Sequence, residues 1–351
     1  MNPQTHYEEY DLPFYRDHIA PLLPPVVLDF HAHTWLSAHW RDVAWETDAA
    51  GGKYMVTIAD YGVEALQADG RTIFPDRPYH AVCFGYPTPV ADARKTNDYT
   101  AEAGKQPGLF PLMLAGRGLE PIAETERRIR EQGFFGYKVL LPWLGDDYGR
   151  VTIEDMLGEA EMELANRLRL IVLLHVPRSR RLADPVVKAG VRKYARDYPD
   201  AQFVLAHCGR CYLPDEMAEA IGAVADLPNV CLDTSMVMDP TALQIALEHI
   251  DSSRLLFATD FPVAAMRGRR VYAADHWVDL VLDGFGYAPS AFRAITPDMR
   301  ATFMVYEIIL ALRRATERAG LRREQLTAIF HDNGLRLLAM VMDGKQRRAK
   351  V

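Results

Sequence analysis

Eight short apolar runs, each ended by polar punctuation and each separated from the next by a longer periodic stretch, constrain this chain more than any other feature. They lie at Pro25 to His33, Tyr79 to Tyr86, Leu109 to Ala115, Gly133 to Leu141, Leu170 to His175, Gln202 to His207, Asn229 to Thr234 and Arg254 to Asp260. Between them, stretches such as Glu120 to Gln132, Ile153 to Arg169, Asp184 to Tyr198, Asp215 to Asp226 and Pro240 to Ile250 carry apolar residues at three- and four-residue spacing. Strand and helix therefore alternate, the pattern of parallel βα architecture. Eight repeats predict an α/β fold of the (β/α)₈ TIM-barrel type. At 351 residues, the chain fits one such unit.

The expected organisation is one metal-dependent barrel domain over 1–351, with an N-terminal extension over 1–24 and C-terminal helices over 297–342. The segment from Trp35 to Pro78 exceeds a normal βα connection and reads as an insertion over the barrel mouth, where long loops often serve as lids. A second long connection runs over 261–296 and contains Arg267, Arg269 and Arg270.

A hydrophobic content of 49% suits a large buried core, and a net charge of −7 argues against a nucleic-acid footprint. No stretch reaches the 18 or so uninterrupted apolar residues of a membrane span. The expectation is a cytoplasmic protein with a small-molecule substrate and neither nucleic-acid nor membrane partner; a homodimer is an open option. The CxxC spacing of Cys208 and Cys211 has no second pair, and these cysteines read as buried hydrophobes.

The chemistry sits at the ends of the apolar runs. His31 and His33 are two apart on a strand, so both face the same side. His175 ends LRLIVLLH, His207 ends AQFVLAH and Asp260 ends RLLFATD. A strand histidine alone is more often a satisfied core residue, and a strand-terminal aspartate more often a helix cap. In a barrel, however, all C-terminal strand ends meet at one mouth, where the active sites of this fold lie. Imidazole and carboxylate suit a borderline cation such as Zn²⁺, and three histidines with one carboxylate leave an open coordination position.

His31-Ala32-His33, Gly136-Tyr137-Lys138, His175, Ala206-His207-Cys208-Gly209, Thr259-Asp260-Phe261-Pro262 and Asn333-Gly334-Leu335-Arg336-Leu337-Leu338 together resemble the ordered motifs of the amidohydrolase superfamily, in its amidohydrolase-2 branch. The resemblance spans about residue 25 to 340. It implies one divalent ion, Zn²⁺ or alternatively Mn²⁺, held by His31, His33, His175 and Asp260. His207 is then a base or polarising group, and His207 and Asp260 are the catalytic pair.

The expected reaction is hydrolysis of an ester, lactone or amide of a small carboxylated substrate by metal-activated water. The alternative is nonoxidative decarboxylation of an aromatic or unsaturated acid, as in the branch members resembling aminocarboxymuconate semialdehyde decarboxylase. A second alternative is a non-catalytic binding protein on a degenerate barrel. Lys138 stands where other branches carry a carboxylated lysine bridging two metals, and it equally suits a substrate carboxylate. Trp35 and Arg178 complete the expected substrate contacts, with Trp143 and Arg210 also near the mouth.

Overall fold

The computed structural model describes residues 2–41, 58, 60–87, 91–140, 149–273, 276–282, 293–295 and 300–348. The barrel strands are β1 (Val27–His33), β2 (Tyr79–Phe84), β3 (Leu109–Pro111), β4 (Met113–Ala115), β5 (Gly136–Val139), β6 (Ile171–Leu174), β7 (Gln202–Leu205), β8 (Val230–Asp233) and β9 (Leu255–Leu256). All run parallel, in the orders β1-β2-β3 and β4-β5-β6-β7-β8-β9. Most are buried along their whole length, as expected of strands covered on one side by helices and on the other by the packed barrel interior.

Two seams join these sheets into a ring of eight strand positions. At the first seam β3 and β4 share the third position, broken at Leu112 beside Pro111, a residue with no backbone N–H to give. Leu112 N still donates to Cys83 O at 2.9 Å. One turn further, the Asn97 side chain replaces the missing neighbour strand: Leu114 N donates to its Oδ1 at 2.7 Å and its Nδ2 donates to Leu114 O at 3.0 Å. The third run expected from the sequence is thus one strand position in two pieces.

At the second seam Phe30 N donates to Phe257 O, Asp260 N to His31 O and His33 N to Phe261 O, at 2.9, 2.8 and 2.9 Å. The eighth expected strand is regular only over Leu255–Leu256, yet its extension to Phe261 still pairs with β1. Asp29 clamps this seam from within. Its Oδ1 accepts from His31 N and Thr259 N at 2.9 and 3.0 Å, and its Oδ2 accepts from Thr259 Oγ1 and Tyr79 OH at 2.5 and 2.6 Å.

Gly136 allows β5 to approach β6: a Cβ there would lie 1.9 Å from Ile171 O. Helices between the strands include Ile122–Glu131, Glu159–Leu168, Pro185–Asp197, Pro214–Ala220 and Pro240–His249. Two of them open on an aspartate cap followed by proline, Asp184-Pro185 and Asp239-Pro240. The C-terminal helices are Met304–Arg318, Arg323–Phe330 and Asp332–Arg348. The last docks through Asn333 Nδ2, which donates to Ser252 O and Leu255 O at 2.9 Å each. Buried apolar residues form one cluster from Tyr15 to Val341.

Of the insertion expected over 35–78, residues 42–57 and 59 lie outside the described residues, as does Trp143. Its later part forms the helix Val63–Ile73. The long connection after the eighth position carries a small sheet: β10 (Gly268–Ala273) antiparallel to β11 (His276–Leu282), which pairs with β12 (Arg293–Ile295). Arg270 and Asp279 are direct cross-strand partners there, joined by two bonds at 2.8 and 2.9 Å.

The first seam yields a stability prediction. Asn97→Ala strands a buried backbone N–H and C=O at Leu114, and unpaired groups of this kind cost about 1–3 kcal/mol each. Urea denaturation should show that loss, while Arg127→Ala on an exposed helix face should stay within about 0.5 kcal/mol of wild type.

Candidate metal centre

The mouth of the ring is where the polar strand ends meet. His31 and His33 lie on β1, Lys138 on β5 and Asp233 ends β8, while His175, His207 and Asp260 follow β6, β7 and β9. His33 Nε2 and His31 Nε2 lie 3.1 and 3.4 Å from Asp260 Oδ1. The rings of His31 and His207 are 5.1 Å apart, and His175 stands edge-on to His207 at 5.2 Å. Among the described residues, ligand atoms of His31, His207 and Asp260 all fall within 4.8 Å of one another.

His207 reaches this cluster through an unusual turn. His207, Cys208, Gly209 and Arg210 have φ of 54, 50, 69 and 62°, four consecutive left-handed residues. Each non-glycine residue in that region costs roughly 1–2 kcal/mol. The turn is held by His207 N donating to Asp233 Oδ1 at 2.8 Å, and by Arg210 Nη1 donating to Val176 O and Arg178 O at 3.1 Å each. At Gly209 a Cβ would press to 2.7 Å against the Leu182 side chain. Asp260 also has a positive φ, 69°, so backbone strain concentrates at the site.

Burial sets the charges. It lowers the pKa of His31 and His175 well below the ordinary imidazole range, with the Lys138 charge adding to the effect on both. His33 and His207 are also lowered by burial, against the pull of Asp260. Four neutral imidazoles present lone pairs rather than positive charge. Burial alone would raise Asp260, but its hydrogen bond with His33 and the neighbouring imidazoles hold it below the usual carboxylate range. It stays ionised. Its side chain keeps 16% exposure, which marks the open side of the cluster.

Lys138 is buried, and its ammonium lies 3.1 Å from His31 Nε2 and 4.5 Å above the Phe84 ring. Burial lowers its pKa to about 8, opposed by Asp260 and Asp233. Neutral imidazoles and an ionised carboxylate converging in a buried pocket fit a divalent cation. The tightest trio includes His207, which the family resemblance casts as a base, while His33 joins through Asp260 and His175 through His207.

The expected substrate contacts divide. Trp35 is buried beside the cluster, its ring 6.4 Å from His33 and its indole N–H donating to Ile58 O at 2.9 Å. Phe84 and Tyr86 stand 4.8 and 5.6 Å from His33 and complete an aromatic wall. Arg178 is directed elsewhere: Nε donates to Val151 O at 2.9 Å, Nη2 to Arg150 O at 3.0 Å, and Nη1 lies 3.7 Å from Asp184. Its left-handed φ of 67° turns the chain so that the guanidinium supports the neighbouring loop.

Sequence reasoning missed Asp233 and Ser235. Asp233 Oδ2 lies 2.9 Å from His31 Nδ1, while its Oδ1 also accepts from Ser235 N at 3.1 Å and from Ser235 Oγ in a short bond. Ser235 Oγ lies 2.8 Å from His207 Nδ1. The available signal was an aspartate ending a strand in CLDTS, the same signal that singled out Asp260. All four cysteines are free and buried, and burial pushes Cys208 and Cys211 up from ordinary thiol values, which favours their protonated form.

Comparison with known proteins agrees with this architecture. A search of curated proteins finds no match. Among solved structures, 4-oxalomesaconate hydratase from Rhodopseudomonas palustris is 16% identical with a TM-score of 0.57, covering 93% of this chain and 99% of its own. An amidohydrolase from Burkholderia multivorans, solved with bound zinc, is 15% identical with a TM-score of 0.57, covering 90% and 99%. A dihydroxybenzoic acid decarboxylase from Polaromonas sp. JS666, solved with manganese and the inhibitor 2-nitroresorcinol, is 16% identical with a TM-score of 0.55, covering 90% and 98%. These likenesses bear on fold. The family model described as amidohydrolase, of the amidohydrolase-2 branch, matches residues 28–340. With that match spanning nearly the whole chain, the protein belongs to the amidohydrolase family and is an enzyme.

Proposed function

We propose that this enzyme is a metal-dependent hydrolase that opens an ester, lactone or amide bond of a small carboxylated substrate. The observation that carries the reading is the convergence of His31, His207 and Asp260 ligand atoms within 4.8 Å at the strand ends, with both histidines buried. The proposed holding set is His31, His33, His175 and Asp260, with His207 facing the reacting atoms. A divalent ion held there, zinc in our reading, supplies Lewis acidity toward water and a substrate oxygen.

The remaining work falls to the chain's own side chains. Asp260, kept ionised, accepts a proton from the attacking water. His207, kept neutral, takes the second proton of that water at its ring nitrogen and passes it to the leaving group. Lys138 supplies a buried cation for the substrate carboxylate, and Trp35, Phe84 and Tyr86 form a wall that excludes bulk water.

The aromatic wall also favours a second reading, nonoxidative decarboxylation of a flat aromatic acid. In it Lys138 holds a carboxylate or phenolate and Asp260 hands a proton to carbon. Decarboxylases occur among the structural neighbours. Incubating zinc- or manganese-loaded protein with panels of lactones and hydroxybenzoates separates the two. Ring opening with no CO₂ is the expected result, and CO₂ release without hydrolysis contradicts the first reading.

His207→Gln should lower turnover by about 10²–10⁴-fold, the usual worth of a general acid–base group, with metal largely retained. Steady-state kinetics with the panel's best substrate checks this; an unchanged kcat removes His207 from the chemistry. Asp260→Ala should lose most bound metal by elemental analysis, and equal metal in wild type and variant would contradict the holding set.

A further inference from the structure

We infer that Asp233, working with Ser235, is a positioning residue that sets the tautomers of His31 and His207 together, so that both turn a bare Nε2 toward the reaction centre. The inference rests on the metal-dependent reading above for its consequence, but its geometry stands alone. Asp233 and Ser235 are both fully buried at the end of the seventh strand position, between the two imidazoles.

For His207, Nδ1 lies 3.1 Å from the backbone carbonyl of Ser235. A carbonyl oxygen only accepts, so in the neutral ring the proton of that bond sits on Nδ1. The Ser235 hydroxyl, 2.8 Å from the same nitrogen, gives its own proton to Asp233 Oδ1 and receives that of His207. Nε2 of His207 is left with its lone pair.

For His31, Nδ1 lies 2.9 Å from Asp233 Oδ2. The other oxygen of that carboxylate accepts from His207 N, Ser235 N and Ser235 Oγ. With Oδ1 occupied by three donors, Oδ2 is the oxygen left to accept, and the shared proton lies on His31 Nδ1. The bare Nε2 then faces Asp260 Oδ1 at 3.4 Å, two acceptors with no proton between them. A cation relieves that juxtaposition: the Lys138 ammonium, 3.1 Å from Nε2, or a divalent ion. One carboxylate thereby makes His31 a ligand and His207 a base, the kind of outer support that orients metal-site histidines.

Labelling the chain with ¹⁵N-histidine and recording two-bond ¹H–¹⁵N correlations on metal-free protein reads each ring's tautomer directly, with His31→Gln and His207→Gln assigning the signals. Protonated Nδ1 and bare Nε2 on both rings is the expected pattern. Nε2–H on either ring overturns the inference. Asp233→Asn, which offers an amide donor to His31, should move His31 toward the Nε2–H form and weaken zinc binding about 10–100-fold. Ser235→Thr, which keeps the hydroxyl, should retain the wild-type pattern.

Unchanged tautomers and zinc affinity in a folded Asp233→Asn protein would also overturn the inference. If that variant does not fold, the wild-type tautomers still decide. Zinc titration of wild type is read separately: no uptake removes the metal-dependent reading and leaves the tautomer result standing.

Discussion

The closure of the strand ring at Asp29 is the constraint on which the site depends. His31 and Asp260 are distant in sequence, and they meet because the buried Asp29 carboxylate ties the first strand position to the eighth through two hydrogen bonds from Thr259, while His31 N and Tyr79 OH fix the same carboxylate from the first and second positions. Backbone bonds from Phe30, His33 and Asp260 extend the same seam. Without that seam the HxH pair would face an open edge rather than a carboxylate.

Closure also dries the mouth. Removing water drives the four imidazoles toward neutrality, while the hydrogen bond with His33 favours the charged form of Asp260. One environment thus supplies both kinds of ligand that a divalent cation takes, and a buried lysine occupies the same corner. The left-handed turn at His207 shows the cost of reaching this arrangement: three non-glycine residues hold strained conformations, anchored by Asp233 and Arg210.

Much of this was legible in the sequence, for a physical reason. A parallel strand covered on both faces is an apolar run, and a polar residue that ends one projects into the mouth. That rule placed His31, His33, His175, His207 and Asp260 near one another before any coordinates. It applied equally to Asp233, which was overlooked because it fell inside the run Asn229 to Thr234 rather than at its end. What a one-dimensional pattern does not carry is direction after the strand ends. Arg178 follows strand and histidine as a carboxylate clamp should, yet its left-handed backbone points the guanidinium at Arg150 and Val151. The break at Pro111 was visible as a proline in a strand, but its repair by Asn97, seventeen residues upstream of Leu114, was not. The sheet Gly268–Ile295 was missed because GRRVYA and HWVDLVL lack the regular alternation that marks a half-buried strand, and 261–296 was read as one long connection.

The central claim is that the mouth of the barrel is a cation site held by His31, His33, His175 and Asp260, with His207 beside it. A crystal of zinc-loaded protein, with anomalous data collected on both sides of the zinc edge, tests it most directly. The account predicts one strong peak within coordination distance of His31 and Asp260, with the Lys138 ammonium displaced from His31 Nε2. An anomalous map with no peak at the mouth, and Lys138 still against His31, would contradict it.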